Sequence, residues 1–304
     1  MSNFRKKIKP WMLPIAMLLG LLLHNYIGYV AFLSKYLIFL MLLITYCRIR
    51  PADFHTGPYI WKLLSVQILG ATAVYLILNP INPLLAQGAF ICIFCPTATA
   101  APVITGMLGG SIAKTATYST ISHLSVALLA PMLLSAIGNA GGEITFIESA
   151  ATIGKNVLPL IFGPLAIALL MQRFAPHTHK EIADHQGLSF YIWAVALLLV
   201  VGNSVSFLLH EPSSLIPTMI MLGAVSLLAC IAQFAIGRRI GQHDGDPVAG
   251  AQSLGQKNTV LAIWLTLTYL NPVVSAAPAA YVAWHNIVNS WQIYHQEKHR
   301  NSTR

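Results

Sequence analysis

Lys257 is the residue that most needs a chemical explanation, because it lies inside a long apolar segment. Its surroundings, Gly250 to Leu261, read GAQSLGQKNTVL, with polar neighbours and no acidic one. A cation in the hydrocarbon layer costs about 2.5–3.5 kcal/mol on insertion scales, and such residues usually pair with a partner or mark a ligand or proton path. We therefore expect Lys257 to face a polar cavity. The alternative is a side chain that extends to the membrane surface.

A second polar interruption, Cys95 to Pro102, reads CPTATAAP. Pro96 and Pro102 each remove a backbone donor and disfavour helix just before them. The freed carbonyls and the hydroxyls of Thr97 and Thr99 can face a ligand. The alternative is a simple proline kink with threonine hydroxyls bonded to the backbone. Because interrupted helices at corresponding places in two halves are typical of transporter binding sites, we read both stretches as parts of one site.

The composition is that of an integral membrane protein. Hydrophobic residues make up 56% of the 304 residues and charged residues 9%, whereas soluble domains carry about a quarter charged residues. We therefore expect the lipid bilayer as a partner. The net charge of +9 comes from scattered cations, so no nucleic-acid partner is expected. No cofactor motif stands out, since the CxxC at Cys92 and Cys95 has no second ligand pair.

Apolar segments long enough to cross a bilayer recur along the whole chain. Ten are predicted, at 11–25, 33–49, 58–79, 84–107, 111–137, 148–172, 187–209, 214–237, 247–269 and 271–296. They divide one transporter unit, residues 1–304, into five-helix repeats at 11–137 and 148–296. Because five is odd, the repeats must be inverted. The predicted fold is therefore an all-α membrane protein of ten transmembrane helices in two inverted repeats, with two broken helices crossing at mid-membrane.

The distribution of cations predicts the orientation of a multi-pass protein in the cell membrane. Lys35 and Lys155 fall on one side of the predicted spans. The opposite side carries Arg5, Lys6, Lys7, Lys9, Arg48, Arg50, Lys62, Lys114, Arg173, Lys180, Arg238, Arg239, Lys298, Arg300 and Arg304. Both termini are therefore expected to be cytoplasmic.

The helix after the first interruption carries a polar stripe. Thr115, Ser119 and Ser122 recur at helical spacing. Hydroxyl stripes often only hold helices together, at about 0.6 kcal/mol per pair. Two histidines have similar alternatives: His123 lies near this stripe and His285 in the last segment. Each is either a hydrogen-bonded interior group or a proton carrier.

Four motifs carry a family resemblance that spans nearly the whole chain. They are Pro51-Ala52-Asp53-Phe54, Cys95-Pro96-x-x-Thr99-Ala100, Asn258-Thr259-x-Leu261-Ala262 and Trp284-His285-Asn286. In these the chain resembles the bile acid:sodium symporter family, within the larger group of arsenite and auxin-type carriers. The resemblance implies ten helices, a core domain that moves against a panel domain, and sodium-driven uptake of an organic anion.

The resemblance also implies sodium ligands, but four of the expected residues differ. The matching positions are Gln67, Thr115, Ser119 and the backbone around Leu254 and Gln256. Ser253 stands where the family has a glutamate, and Lys257 stands where it has a glutamine. The Ser-Asn pair expected after the first break is Ala101-Pro102 here.

These departures predict altered or lost sodium coupling. Sodium prefers oxygen ligands, and a positive charge about 4 Å away would cost on the order of 4 kcal/mol at an effective dielectric of 20. Lys257 could act as a fixed surrogate for the cation or as a proton-coupling group. We keep open a sodium-coupled symporter with a rearranged ion site.

The sequence thus predicts a secondary-active transporter of a small or amphipathic organic anion by alternating access. The expected substrate contacts are Thr99, Lys257, Asn258, His285 and Asn286. The expected ion-coupling residues are Gln67, Thr115, Ser119, Ser253 and Lys257. We do not expect an enzyme, because the predicted spans offer no cluster of carboxylates for acid/base or metal work. A non-transporting or channel-like protein on the same fold is the remaining alternative.

Overall fold

The computed structural model describes residues 12–47, 57–138, 145–184 and 186–302, and these residues are helical almost throughout. We number the α-helices in chain order: α1 Met12–Leu22, α2 His24–Ile27, α3 Ser34–Cys47, α4 Pro58–Leu78, α5 Pro83–Phe94, α6 Ala101–Met107, α7 Ile112–Gly138, α8 Phe146–Phe174, α9 Pro176–Asp184, α10 Gln186–His210, α11 Ile216–His243, α12 Pro247–Gly255, α13 Thr259–Tyr269 and α14 Ala276–Ser302. Short 3-10 turns occupy Gly28–Leu33, Ser213–Leu215 and Pro272–Ser275.

The helices follow the predicted segments, with one shortened and two divided. The predicted span 11–25 is a helix only over Met12–Leu22, and a turn at Leu23 ends it. The spans 84–107 and 247–269 are each split into a pair, α5 with α6 and α12 with α13. Within the described residues, five stretches are long and apolar enough to cross a membrane. They are His24–Cys47, Pro58–Leu78, Ile112–Gly138, Phe146–Phe174 and Ser213–His243.

The ends of the broken helices follow from local chemistry. Asn82 begins α5 by accepting hydrogen bonds at its side chain from the amides of the first turn, at 3.0 and 3.2 Å. Pro96 ends it, because the residue before a proline is pushed out of the helical region, and Cys95 is extended there (ψ 146°). Asp246 and Asn258 begin α12 and α13 in the same way, each with a side-chain acceptor for an amide of its first turn.

The helices form two packed groups, which are joined by an extensive contact between α7 and α8. In the first, α1 and α3 pack against α10, and α3 packs against α8. The second contains α4 to α7 and α11 to α14, with α12 lying along α11. That contact is backbone to backbone, because a Cβ built on Gly250 would lie 2.1 Å from the carbonyl oxygen of Gly237.

Some sequence predictions fall outside the described residues. These are the motif at Pro51 to Phe54 and several of the cations that predict the orientation: Arg5, Lys6, Lys7, Lys9, Arg48, Arg50 and Arg304.

Candidate functional site

The two interruptions meet and pair with each other. Residues 95–100 and 256–258, which we call the crossing, form one isolated antiparallel bridge between Thr97 and Lys257. Two backbone hydrogen bonds flank the bridge, from Ala98 N to Gln256 O at 3.1 Å and from Asn258 N to Pro96 O at 2.8 Å. Each unwound segment therefore satisfies part of the other's backbone, which a low-dielectric interior demands.

The bridged residues also cap each other's helices. The Lys257 ammonium donates to the carbonyl oxygen of Ile93 in the last turn of α5, at 2.7 Å. The Thr97 hydroxyl donates to the carbonyl oxygen of Ser253 in the last turn of α12, at 2.6 Å. The last carbonyls of a helix have no partner within it, so each half of the chain completes a helix end of the other half.

Side-chain donors cover the entire carboxyl end of α5. The Gln67 amide donates to Phe94 O at 2.7 Å and to Cys95 O at 3.2 Å. The Gln233 amide donates to Cys92 O at 3.2 Å. With Lys257 on Ile93 O, every carbonyl from residue 92 to 95 has a donor from a side chain. A metal ion at this helix end would have to share each of these carbonyls with a side-chain donor.

The Lys257 ammonium lies at the negative end of a helix. The side chain is 1% exposed, and the carbonyl end of a helix carries partial negative charge that favours a cation. Among the described residues Lys257 forms no ion pair with a carboxylate. Its charge is therefore balanced by backbone dipoles, at the kind of half-helix end that holds coupling cations in broken-helix transporters.

Gln67, a predicted ion-coupling residue, reaches the crossing. Its side-chain amide uses most of its hydrogen-bonding capacity there. It is fully buried. Besides its two donated bonds, its Oε1 accepts from the Tyr118 hydroxyl at 2.6 Å and from the Ser122 hydroxyl at 2.8 Å.

The other predicted ion-coupling residues are buried but bonded to neighbouring groups. The Thr115 hydroxyl pairs with that of Thr105 at 3.1 Å. The Ser119 carbonyl faces Nδ1 of His123 at 2.7 Å. The Ser253 hydroxyl lies 3.5 Å from that of Tyr59. The structure thus brings Gln67, Ser253 and Lys257 to the ends of the broken helices, while Thr115 and Ser119 bond elsewhere.

The predicted substrate residues are also spread out. Asn258 caps α13 through Oδ1, and its Nδ2 lies 3.4 Å from Nε2 of His123. Thr99 is half-buried on the crossing. His285 is buried on α14. Asn286 is directed to its own helix, where it donates to Val282 O at 2.7 Å.

Sequence reasoning missed Gln233 and Tyr281. The Gln233 amide also donates to the Tyr281 hydroxyl at 3.0 Å, and that hydroxyl donates to the carbonyl oxygen of Gly255, at the end of α12, at 2.8 Å. The signal for Gln233 was present, because it is an amide inside an apolar segment, as Gln67 is. Tyr281 gave no such signal, since tyrosine is ordinary in a membrane helix.

The comparisons with known proteins are sparse. No protein-family model matches the chain. A relative from Bacillus subtilis (strain 168), named "Uncharacterized sodium-dependent transporter YocS", is 21% identical over 210 residues, which are 68% of this chain and 62% of the relative. The match thus spans less than two thirds of that relative's length. Together with the apolar helices, it supports a membrane protein with a transporter role in general terms.

Proposed function

We propose that the chain is a secondary-active transporter of an organic anion, built on the fold of the bile acid:sodium symporter family. In this proposal it lies in the cell membrane with ten spans in two inverted repeats and with both termini cytoplasmic. The α4–α7 and α11–α14 group is the moving core, and α1, α3, α8 and α10 are the panel. The pairing of two interrupted helices at the crossing supports this assignment.

The side-chain bonding in the two halves supports the inverted repeat. In the first half, Gln67 of α4 bonds Tyr118 of α7 and reaches the end of α5. In the second half, Gln233 of α11 bonds Tyr281 of α14 and also reaches α5. In each half, the helix before the broken one and the helix after it supply a glutamine and a tyrosine that hold the crossing.

We further propose that Lys257 stands in for the coupling cation. Its ammonium contacts a carbonyl at the end of a broken helix, and the neighbouring carbonyls are occupied by amide donors. A sodium ion about 4 Å from it would meet a repulsion on the order of 4 kcal/mol at an effective dielectric of 20. Transport is therefore independent of sodium. The relative's name describes a sodium-dependent transporter, so independence of sodium would distinguish the two proteins.

An anionic substrate follows from the charge of the site. The buried ammonium has no carboxylate partner among the described residues, and the amino end of α13 adds partial positive charge nearby. A carboxylate or sulfonate that reaches the crossing would neutralise this charge. The proposed contacts are Thr99, Lys257, Asn258, His285 and Asn286. This chemistry is binding rather than acid/base catalysis, so we propose a carrier and not an enzyme.

The proposal rests chiefly on the contact between Lys257 Nζ and Ile93 O. A counterflow assay tests it. Proteoliposomes loaded with an unlabelled anion exchange it for the labelled one if the protein is a carrier. The anions to try are a sterol carboxylate, a 2-oxo acid and a vitamin-like acid, each in sodium-free and sodium-containing buffer. We expect exchange of at least one anion at equal rates in both buffers.

Three other outcomes contradict parts of the proposal. Flux without exchange would indicate a channel. The absence of exchange for all anions would favour a non-transporting protein. Exchange that requires sodium would indicate a rearranged ion site. In the same assay Lys257→Gln should abolish exchange, whereas Lys155→Gln is the matched control and should not, because Lys155 is exposed on α8.

A further inference from the structure

The two halves of the crossing differ in how completely their polar side chains are bonded. In the first half, Oε1 of Gln67 accepts two hydrogen bonds, from Tyr118 and Ser122. Nδ1 of His123 bonds the Ser119 carbonyl. These buried groups need nothing further.

The equivalent groups of the second half have unbonded atoms. Oε1 of Gln233, Nδ1 of His285 and both amide atoms of Asn289 are buried and without a partner among the described residues. Gln233 is 2% exposed, His285 1% and Asn289 3%. Because nearly all buried polar groups in proteins are hydrogen-bonded to protein or to ordered water, such a concentration calls for a ligand.

Gln233 and His285 lie next to Tyr281, and Asn289 lies one turn beyond His285. The Gln233 amide nitrogen lies 3.0 Å from the Tyr281 hydroxyl, and the ring centroids of Tyr281 and His285 are 5.6 Å apart. Asn289 follows His285 by four residues, so both lie on one face of α14. We call Gln233, Tyr281, His285 and Asn289 the second-half cluster.

The orientation of the Gln233 amide is fixed by its partner. Its nitrogen faces the carbonyl oxygen of Cys92 at 3.2 Å, and a carbonyl accepts hydrogen bonds but cannot donate one. If the amide were flipped, its oxygen would face the carbonyl oxygen of Cys92, and neither atom could donate a hydrogen bond. The unbonded atom of Gln233 is therefore an acceptor.

We propose that the second-half cluster is a buried water site next to the Lys257 ammonium. Gln233 Oε1 and Asn289 Oδ1 need donors, whereas Asn289 Nδ2 needs an acceptor. Water does both, and each buried water typically makes about three hydrogen bonds. An anion alone would leave the two carbonyl oxygens unbonded.

The proposed water would hydrate the Lys257 ammonium. An ammonium has three donors, and among the described residues Lys257 Nζ bonds Ile93 O. The adjacent carbonyl, of Cys92, is the one that Gln233 holds. In this proposal, water bound near Gln233 accepts remaining hydrogens of the ammonium, in keeping with the tendency of intramembrane charges to face water-filled cavities.

Hydroxyl-radical labelling by X-ray irradiation tests this proposal, because radicals formed from a bound water modify the side chains around it. Tyr281 and Tyr118 are both 0% exposed, and His285 and His123 are both 1% exposed. Each pair is thus matched in type and burial and differs in its predicted contact with water. On the purified wild-type protein, we expect Tyr281 and His285 to be modified at least several-fold faster than Tyr118 and His123, as measured by mass spectrometry. Equal rates within the pairs would overturn the water site.

An Asn289→Leu variant gives an independent answer. If water bridges the cluster, leucine displaces it and leaves Gln233 and His285 unbonded, so the unfolding temperature falls by several degrees. If the cluster is dry, leucine removes two unbonded atoms and the unfolding temperature stays the same or rises. Asn286→Leu is the control, since that amide bonds its own helix. Neither measurement requires a substrate, so failure here leaves the proposed transport function standing.

Discussion

At the scale of single residues, the contact of Lys257 with α5 should matter more for transport than for the stability of the protein. Burial of an ammonium costs about 2.5–3.5 kcal/mol. Loss of the ammonium would leave Ile93 O, which now accepts from it at 2.7 Å, without a donor. An unsatisfied buried carbonyl costs about 1–3 kcal/mol. These two terms are of similar size and opposite sign.

We therefore predict that Lys257→Met abolishes anion exchange but shifts the unfolding temperature by only a few degrees. The apolar chain fills the same volume but offers no charge to the substrate. Counterflow and thermal unfolding in detergent measure the two effects, with Lys155→Met as the control. Normal anion exchange by Lys257→Met would show that the ammonium has no part in transport.

Gln67 should behave in the opposite way, as a residue that holds the site together. Leucine at this position would leave the Phe94 and Cys95 carbonyls and the Tyr118 and Ser122 hydroxyls without their partner. We predict that Gln67→Leu lowers stability by more than about 2 kcal/mol, because each unsatisfied buried group costs about 1–3 kcal/mol.

Gln87→Leu is a suitable comparison for Gln67→Leu in the same unfolding assay. Among the described residues, the Gln87 amide donates one hydrogen bond, to Ile137 O at 3.3 Å, and is only partly buried. A loss of stability as large in Gln87→Leu as in Gln67→Leu would contradict the account of Gln67.

The sequence identified these residues better than it identified their partners. Lys257 and Gln67 stand out as polar residues in apolar segments, and that pattern is local. Lys257 bonds a carbonyl 164 positions away, and Thr97 bonds one 156 positions away. Because the acceptors are backbone carbonyls, they have no residue type that a sequence pattern could reveal.

At the scale of helices and loops, Asp246 joins the starts of two helices. Its Oδ1 accepts from Ala249 N in the first turn of α12 at 2.8 Å. Its Oδ2 accepts from Ser111 N, just before α7, at 2.7 Å. The carboxylate thus holds the loop after α6 against the loop after α11.

We predict that Asp246→Ala destabilises the protein by about 2 kcal/mol or more, since the loss of one capping residue typically costs about 1 kcal/mol and here two helix starts lose their acceptor. Thr145→Ala removes the cap of α8 alone, whose hydroxyl accepts from Glu148 N at 3.3 Å, and should cost about half as much. Denaturation in detergent measures both. Equal losses would show that the link to Ser111 contributes nothing.

The contact between α11 and α12 depends on glycine at both surfaces. A Cβ on Gly250 would lie 2.1 Å from Gly237 O and 2.8 Å from the Cα of Gly241. Since these are backbone atoms, the helices would have to separate, and α12 would move its end away from the crossing.

We predict that Gly250→Ala lowers both the unfolding temperature and anion exchange, with a stability cost of about 1–3 kcal/mol, as is typical of overpacking. Gly70→Ala on α4 is the control, because its added methyl would meet a side chain only at 3.9 Å. If Gly250→Ala left the stability unchanged, α11 and α12 would not be in close contact.

At the scale of the whole molecule, hydropathy predicted where helices run, but not how they associate. The predicted segments 58–79 and 111–137 match α4 and α7 within one residue at each end. The first segment was wrong in length, because Leu23 ends α1 at a turn that no proline or glycine marks. The pairing of Thr97 with Lys257 could not be predicted, since a single bridge between two irregular segments has no periodicity.

The two helix groups meet through apolar contacts and side-chain hydrogen bonds. A buried pair of hydroxyls, Ser204 on α10 and Ser275 before α14, lies 2.6 Å apart and joins the groups. Apolar side chains make up much of the remaining contact, including Leu197 and Val274. If the proposed core moves against the proposed panel, it must break this hydroxyl pair and also the hydrogen bond from the Ser135 hydroxyl of α7 to Phe146 O of α8, at 3.0 Å.

Equilibrium binding of radioactive sodium to the purified protein tests the central claim most directly, because it needs no knowledge of the substrate. We predict no saturable binding of sodium to the wild type, since the Lys257 ammonium already lies at the carbonyl end of α5. The double variant Ser253→Glu/Lys257→Gln, which restores a carboxylate and removes the charge, should gain saturable binding. Saturable binding of sodium to the wild-type protein would contradict the claim that a lysine replaces the cation.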